Sequence, residues 1–356
     1  MRSVVIIRAT AIARLVVWSA LSAGVVALLP RSERSSSDFV KTTGVRLIRR
    51  TVDNAHGSRQ KTPLEIYLPP QRAQWDSAAD KAALSSGGVV NSRETTHESS
   101  SASQNTRTGR PVVIAIHGGS WIGGSPRLFR LDPETTVQRL AQAGLVVVVP
   151  EYRLASPGNP SWPAVLEELR EVLRWVRRHA AELEIDPQRI AAMGQSAGGQ
   201  LAALLGTSQG LPGPDGVPAD VSAVINFYGP SDLALLVESR RLGHEPVRTF
   251  LGQPAAKDPG TLRDASPVDH VTPDAAAMLL LHGSDDTWVL PEQSARLAEA
   301  LKLAGVRHEL ILVDGARHGF EPQVNTVPRR DLLPDILGFL RSVWNNRGNS
   351  GSERRQ

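Results

Sequence analysis

The 356-residue sequence predicts an α/β fold, a mostly parallel, doubly wound sheet flanked by helices in a single domain. Three observations carry that expectation. Six short apolar runs recur after Pro111, and each is continuous rather than alternating, as strands buried on both faces require. Amphipathic segments separate the runs. The regular alternation of the two builds βαβ units, whose crossover helices make neighbouring strands parallel.

The runs are VVIAI (112–116), LVVVV (145–149), IAAM (190–193), VSAVINFY (221–228), MLLL (278–281) and ELILV (309–313). The clearest helical segment begins at Ser161, read as its N-cap, and puts Trp162, Val165, Leu166, Leu169, Val172, Leu173 and Val176 on one stripe. Another opens with Pro291 and closes at Gly305, the usual asymmetry of helix ends. Ahead of the alternating region, residues 45–53 and 64–68 read as a strand pair joined across a His-Gly-Ser turn. Residues 71–110 break the pattern. Serine and glycine clusters sit among scattered charges without apolar periodicity, which reads as a disordered insertion, with a lid or substrate-binding loop as the functional alternative. The domain therefore runs over 45–345, after a polar linker at 31–44 and before a solvated tail at 346–356. No internal repeat is present.

Composition narrows the function. An apolar fraction of 41% with 21% charged residues is globular. The net charge of +4 is matched by residues 1–34 alone, which carry five arginines and one glutamate. The remainder holds 35 residues of each sign and no basic stripe to track phosphates, so no nucleic-acid partner is expected. The absence of cysteine excludes disulfides, thiolate metal sites and a cysteine nucleophile. At the N-terminus, Arg2, Arg8 and Arg14 precede LVVWSALSAGVVALL (15–29), and Pro30 ends the run. A basic start and an apolar stretch shorter than the roughly 20 residues of a spanning helix mark an export signal. Residues 1–30 are thus expected to be a signal peptide, or an uncleaved anchor holding 4–29 in a membrane. The protein would be periplasmic, secreted or membrane-anchored. An organelle transit peptide is the third reading.

Two serines satisfy G-x-S-x-G. Ser196 follows the run ending at Met193 and precedes the helix-forming AGGQLAALL, so it sits at a strand–turn–helix junction where Gly194 and Gly198 permit a sharp turn. Ser208 follows that helix, with Gly206 and Gly210 read as punctuation after its end. Ser196 is the candidate nucleophile and Ser208 a decoy. A serine hydroxyl needs a base and a group to orient that base. His318, in the loop after ELILV, and Asp286, in the loop after MLLL, complete the order Ser–Asp–His that hydrolases with a nucleophile elbow use. Adjacent Asp285 is the rival acid, with Asp286 then capping the next helix. HGGSW (117–121) follows the first run of the set, and its small residues leave backbone N–H groups free to face a developing negative charge. His117 and His282 read as loop braces and Asp232 as a turn residue. Trp121 and Trp288 are either pocket walls or packing. H-E-x-x-H and other metal-ligand spacings are absent, as is a phosphate loop, so neither a metal nor a nucleotide cofactor is expected.

HGGSW, EYRLA, SWPAVLEELREVLRWV, DPQRIAAMGQSAGGQLAALL, NFYGPSDL, LLLHGSDD and GARHGF, in that order, resemble the α/β-hydrolase esterases, within them the hormone-sensitive-lipase and feruloyl-esterase-like branches. The resemblance covers residues 64–343 apart from the insertion. It implies the α/β-hydrolase fold, with Ser196 as nucleophile, His318 as general base and then acid, and Asp286 as its orienter. It further implies an oxyanion hole from the N–H groups of Gly119, Ser120 and Ala197, and no cofactor. Ser120 stands where the lipase branch usually has a third glycine. G-Q-S-A-G replaces the usual G-D-S-A-G, and HGSDD replaces the usual acid motif. These departures lean towards the feruloyl- and acetyl-esterase side, hence a short-chain or acetyl/feruloyl-type carbohydrate ester as substrate. An amidase or peptidase-like hydrolase with the same triad is the alternative. A non-catalytic binding protein of this fold predicts a broken triad.

Overall fold

Valine, isoleucine and leucine leave the central strands no exposed face. Every residue of β4 (Val146–Pro150) and β6 (Ala223–Phe227) is buried. The computed structural model describes residues 44–53, 61–71, 73, 75, 109–130, 136–209, 212–239, 245–253, 255–319 and 330–346. The expected export signal, the linker to residue 43, the His-Gly-Ser turn, most of 71–110 and the tail from 347 lie outside the described residues.

The other strands are β1 (Arg46–Asp53), β2 (Lys61–Leu68), β3 (Arg110–Ile116), β5 (Ile185–Gln195), β7 (Ala277–Gly283) and β8 (His308–Val313). They form one sheet in the order β1-β2-β4-β3-β5-β6-β7-β8. The β1–β2 and β2–β4 pairings are antiparallel, and all pairings from β4 through β8 are parallel. The chain leaves β3 towards β4 on one side and returns to place β5 on the other. Where strand order reverses in this way, the connections diverge and leave a crevice at the carboxyl ends of the strands. That crevice lies between β3 and β5.

The helices are α1 (Thr136–Gln142), α2 (Ala164–Arg178), α3 (Ala197–Thr207), α4 (Leu233–Ser239), α5 (Glu245–Leu251), α6 (Pro259–Asp264), α7 (Glu292–Leu303) and α8 (Leu333–Asn346). One layer contains α8, which packs on α1, β6 and β7; in another, α2 packs on α3, which lies along β5 and β6. Alternate strand residues serve different faces. Val112, Ile114 and Ile116 share a buried cluster with Val165, Leu169 and Leu173 of α2, while Val113 and Ala115 between them are also fully buried.

Three local expectations change. Ser161 does not cap α2: the N-cap position is Pro163, with no side-chain cap. The carbonyl of Ser161 takes the Val165 N–H instead, and its hydroxyl is buried without a partner. Because Pro163 brings no N–H, the first turn has one donor fewer to satisfy. Gly206 lies inside α3 rather than after it. A Cβ there would stand 2.4 Å from Val224 Cγ2, so glycine lets the helix close onto β6. The irregular segment expected at 71–110 is ordered at both ends. Arg110 begins β3, and Trp75 is buried edge-on against Trp344 at 5.5 Å, with the Arg341 guanidinium 4.9 Å above its ring.

Trp344 also donates its indole N–H to Ser222 Oγ at 2.7 Å, joining α8 to the segment before β6. Trp344→Ala removes that bond and a fully buried indole. It is expected to cost about 3–5 kcal/mol, read as a lower denaturant midpoint at unchanged slope.

Candidate active site

β5 ends at Gln195 and α3 begins at Ala197, so Ser196 alone makes the reversal. Its φ of +52° and ψ of −119° lie in a region that residues with a side chain rarely adopt. The turn is held because its N–H donates to Phe227 O at 2.9 Å and its carbonyl accepts from Gln200 N–H at 3.1 Å. Neighbouring glycines make the room. A Cβ on Gly194 would sit 2.1 Å from the Gly198 carbonyl, and one on Gly198 would sit 2.1 Å from the Ile116 carbonyl. Ser196 occupies the N-cap of α3 without capping it, which leaves Oγ for another partner.

That partner is His318. Its Nε2 lies 2.9 Å from Ser196 Oγ, and its Nδ1 lies 2.7 Å from Asp286 Oδ2. Asp286 Oδ1 accepts from the N–H groups of Trp288 at 2.9 Å and Val289 at 3.0 Å. The alternative expectation has Asp285 serving the histidine while Asp286 caps the next helix. It is Asp286 that meets His318, and α7 has Pro291 at its N-cap position without a side-chain cap; Oδ1 of Asp286 bonds the turn before it instead. Asp285 is exposed and accepts from Ser284 Oγ at 3.0 Å. Burial alone would raise the Asp286 carboxyl. Hydrogen bonds from His282 and His318, with the positive charge His318 can carry, outweigh burial and hold it well below the usual carboxylate range. The His318 ring is enclosed by two aromatics, Tyr228 edge-on at 4.8 Å and Trp288 nearly parallel at 5.6 Å.

The HGGSW loop faces this array. Gly119, Ser120 and Trp121 take φ of +127°, +54° and +63° in succession, so Ser120 adopts a left-handed conformation where glycine would be easier. A Cβ on Gly118 would stand 3.0 Å from the Gln195 carbonyl, a measure of how tightly loop and elbow meet. The N–H groups of Gly119, Ser120 and Ala197 donate to no acceptor among the described residues. Ala197 opens an 11-residue helix, whose first N–H groups carry partial positive charge.

Buried side chains brace the loop from behind. Trp121, 1% exposed, donates its indole N–H to Gln200 Oε1 at 3.0 Å and stacks on Phe250 at 4.7 Å. It is packing, not a pocket wall. Gln200 in turn donates to Ala265 O at 2.7 Å. His117 stacks on Tyr152 at 4.2 Å, and the Tyr152 hydroxyl donates to His117 O at 2.8 Å. Burial pushes the His117 imidazole down to about 4 against the opposing bond to Gly118 O. Asp232 caps α4 through Leu235 N–H and pairs with Arg296 at 2.7 Å. Ser208 points away from the array, its hydroxyl donating to Leu204 O and accepting from Arg170. Tyr228 and Gln200 were not among the expected site residues. Gln200 had a readable signal, since four residues past Ser196 places it on the same helix face. Tyr228 had none before the contact with His318 was known.

No group of three or more potential metal ligands occurs among the described residues. A concavity of about 690 Å³, lined by Trp75, Gly109, Arg110 and Ile185, lies at the amino end of β3 and β5. None of its lining residues belongs to the Ser196 array.

The family model described as BD-FAE matches residues 101–301, more than half of the chain. The chain belongs to the BD-FAE family. This BD-FAE protein is 31% identical to Esterase LipC of Mycobacterium tuberculosis over 227 residues, covering 59% of this chain and 55% of LipC. The chain spans about half the length of the curated relatives it matches. It is 25% identical to the solved esterase Est2 of the Planctomycetes species Thermogutta terrifontis, with a TM-score of 0.57 over 87% of this chain and 95% of that one. It is 27% identical to the acetyl ester-xyloside bifunctional hydrolase of Caldicellulosiruptor lactoaceticus, with a TM-score of 0.53 over 68% and 83% of the two chains. Sheet order and these likenesses make the fold an α/β-hydrolase fold.

His117 generates a prediction. Unfolded, it titrates near the ordinary histidine value of about 6.5; folded, it titrates near 4. Between these values the unfolded chain holds a proton that the folded chain lacks. Its contribution to stability is therefore complete above the higher value and falls with pH until the lower one, by about 3 kcal/mol in all. Unfolding free energies of the wild type and His117→Gln, measured from pH 7 to pH 4, should show a steeper acid loss for the wild type.

Proposed function

We propose that this protein is a serine hydrolase of carboxylic esters, working through an acyl-enzyme on Ser196. The observation that carries the proposal is the continuous hydrogen-bond chain Ser196 Oγ–His318–Asp286. As the Ser196 oxygen attacks the ester carbonyl, His318 Nε2 takes its proton. Asp286, ionised and with both oxygens occupied, keeps Nδ1–H of His318 pointed at itself and Nε2 pointed at serine. The tetrahedral oxygen would lie against the N–H groups of Gly119, Ser120 and Ala197, which are otherwise unspent. His318 then returns the proton to the departing alcohol, and the same base activates the water that frees the acid.

The substrate proposed is a short-chain or acetyl/feruloyl-type carbohydrate ester. Support comes from the likeness to an acetyl ester-xyloside hydrolase and from two aromatic rings, Tyr228 and Trp288, beside the base. Relatives named esterases support the broader class. Export, or anchoring through residues 4–29, is proposed on the basic and apolar N-terminal pattern.

Hydrolysis of p-nitrophenyl acetate and butyrate by the full chain tests the activity. Ser196→Ala should lower kcat at least about 10³-fold, while Ser208→Ala stays near wild type. A folded Ser196→Ala that retains wild-type rates defeats the reading. Asp286→Asn should cost about 10⁴-fold in kcat, because the base loses its oriented tautomer. Asp285→Asn should leave the rate essentially unchanged, and the reverse outcome would transfer the acid role to Asp285. For the substrate class, acetylated xylo-oligosaccharides should be cleaved faster than decanoyl esters, and the opposite preference removes that part of the proposal.

A further inference from the structure

The His318 imidazole is not the only one on the Asp286 carboxylate. His282, fully buried at the carboxyl end of β7, brings its Nε2 to 3.3 Å from Asp286 Oδ2 and 2.8 Å from Val289 O. Its Nδ1 lies 2.7 Å from Ser294 Oγ, in the first turn of α7 and also buried. Resting on the reading of Ser196 as nucleophile, we propose that His282 is a positioning residue. It delivers a fixed Nε2–H towards the carboxylate that orients His318, and the Ser294 hydroxyl braces the ring at Nδ1.

The partners assign the proton. Val289 O and the Asp286 carboxylate can only accept, so Nε2 of His282 must carry hydrogen and share it between them. In the neutral ring Nδ1 is then an acceptor, and the serine hydroxyl, which can donate, is the group placed against it. A carboxylate has about four lone-pair sites. Those of Asp286 meet three hydrogen-bond donors, Trp288 and Val289 N–H at Oδ1 and His318 at Oδ2, with His282 Nε2 as a fourth, longer contact 3.3 Å from Oδ2. Without His282, Oδ2 keeps one partner and the carbonyl of Val289 loses its tie to β7. The acid could then tilt, and His318 Nε2 with it.

A neutral second donor also suits the chemistry. His318 becomes cationic during turnover, and a second cation on the same oxygen would compete for the charge that stabilises it. The only other acid beside the carboxylate in its loop, Asp285, is exposed and turned to Ser284. A fixed tautomer therefore holds the carboxylate without contributing charge.

His282→Phe removes the donor at similar size, His282→Gln restores an amide N–H near the Nε2 position, and Ser294→Ala removes the brace at Nδ1. Each is measured in the full chain with p-nitrophenyl acetate, and with ¹⁵N–¹H spectra of the histidine rings. His282→Phe should lower kcat about 10- to 100-fold, the scale of a small misplacement at a reacting centre, with KM nearly unchanged. His282→Gln should recover most of that loss. The spectra should show wild-type His282 protonated at Nε2 alone, and Ser294→Ala, which leaves Val289 O and the carboxylate in place, should keep the proton there.

A loop brace without a positioning role predicts lower thermal stability but wild-type kcat in folded His282→Phe, which overturns the proposal. So does a wild-type ring carrying its proton at Nδ1, or at both nitrogens. If His282→Phe does not fold, the Ser294→Ala variant decides. In it a lowered kcat at nearly unchanged KM supports the proposal, and a wild-type kcat overturns it. If wild type and Ser196→Ala prove equally inactive, the ester reading fails separately. The downfield Nδ1–H resonance of His318 then serves alone: its loss or displacement in the His282 and Ser294 variants supports the inference, and its constancy overturns it.

Discussion

Everything at the site depends on how closely α3 approaches β3. A Cβ on Gly198 would overlap the carbonyl of Ile116 at 2.1 Å, so backbone meets backbone with nothing between. That approach places the first N–H groups of α3 beside the loop leaving β3. It also forces Ser196 into the conformation at φ +52°. Strain at one residue is sustained by hydrogen bonds to Phe227 and Gln200 and by the packing of six parallel-paired strands. The strained turn at Ser196 and the nearness of the α3 N-terminus to the HGGSW loop thus share one cause, the absence of two β-carbons.

The second governing feature is electrostatic. Asp286 is almost wholly buried, which alone disfavours its charge. Donors on both oxygens reverse that preference. The carboxylate can therefore remain ionised in a place where an unpartnered one would protonate, and it can hold His318 without itself moving. The His117 imidazole shows the opposite outcome of the same burial. With one backbone carbonyl as partner and an unpaired Nε2, it stays neutral and serves as a stacking platform for Tyr152.

Much of this was readable in the chain. Continuous apolar runs identified β3 to β7 because burial on both faces suppresses the alternation that a half-exposed strand shows; ELILV marked β8 as well, but that edge strand is partly exposed, with Glu309 and Leu312 open to solvent. The elbow was readable because only glycine fits at 194 and 198, and the order Ser196, Asp286, His318 follows from which strand ends face the crevice. Other features were not. The choice between Asp285 and Asp286 depends on which carboxylate the turn rotates inward, and adjacent residues look alike in a sequence. Ser161 reads as an N-cap by residue type, yet the carbonyl of the same residue does the work beside a proline. Gly206 reads as a helix end, but its reason is a methyl group of Val224, far away in sequence. Trp121, open to two readings, resolves only when Gln200 and Phe250 are placed against it. Propensity rules see neighbours along the chain; these outcomes were set by neighbours across it.

Ser196 and His318, bonded through Oγ and Nε2, are 122 residues apart, and His318 and Asp286 are 32 apart. Each is delivered by a loop at the end of a different strand, so no fragment of the chain holds a working portion of the array. Such contacts have high sequence separation and form only after the intervening loops have closed. The array accordingly depends on the strand packing from β5 to β8 staying intact. The activity proposed for this protein would therefore report long-range order, sensitive to disturbances that local secondary structure survives.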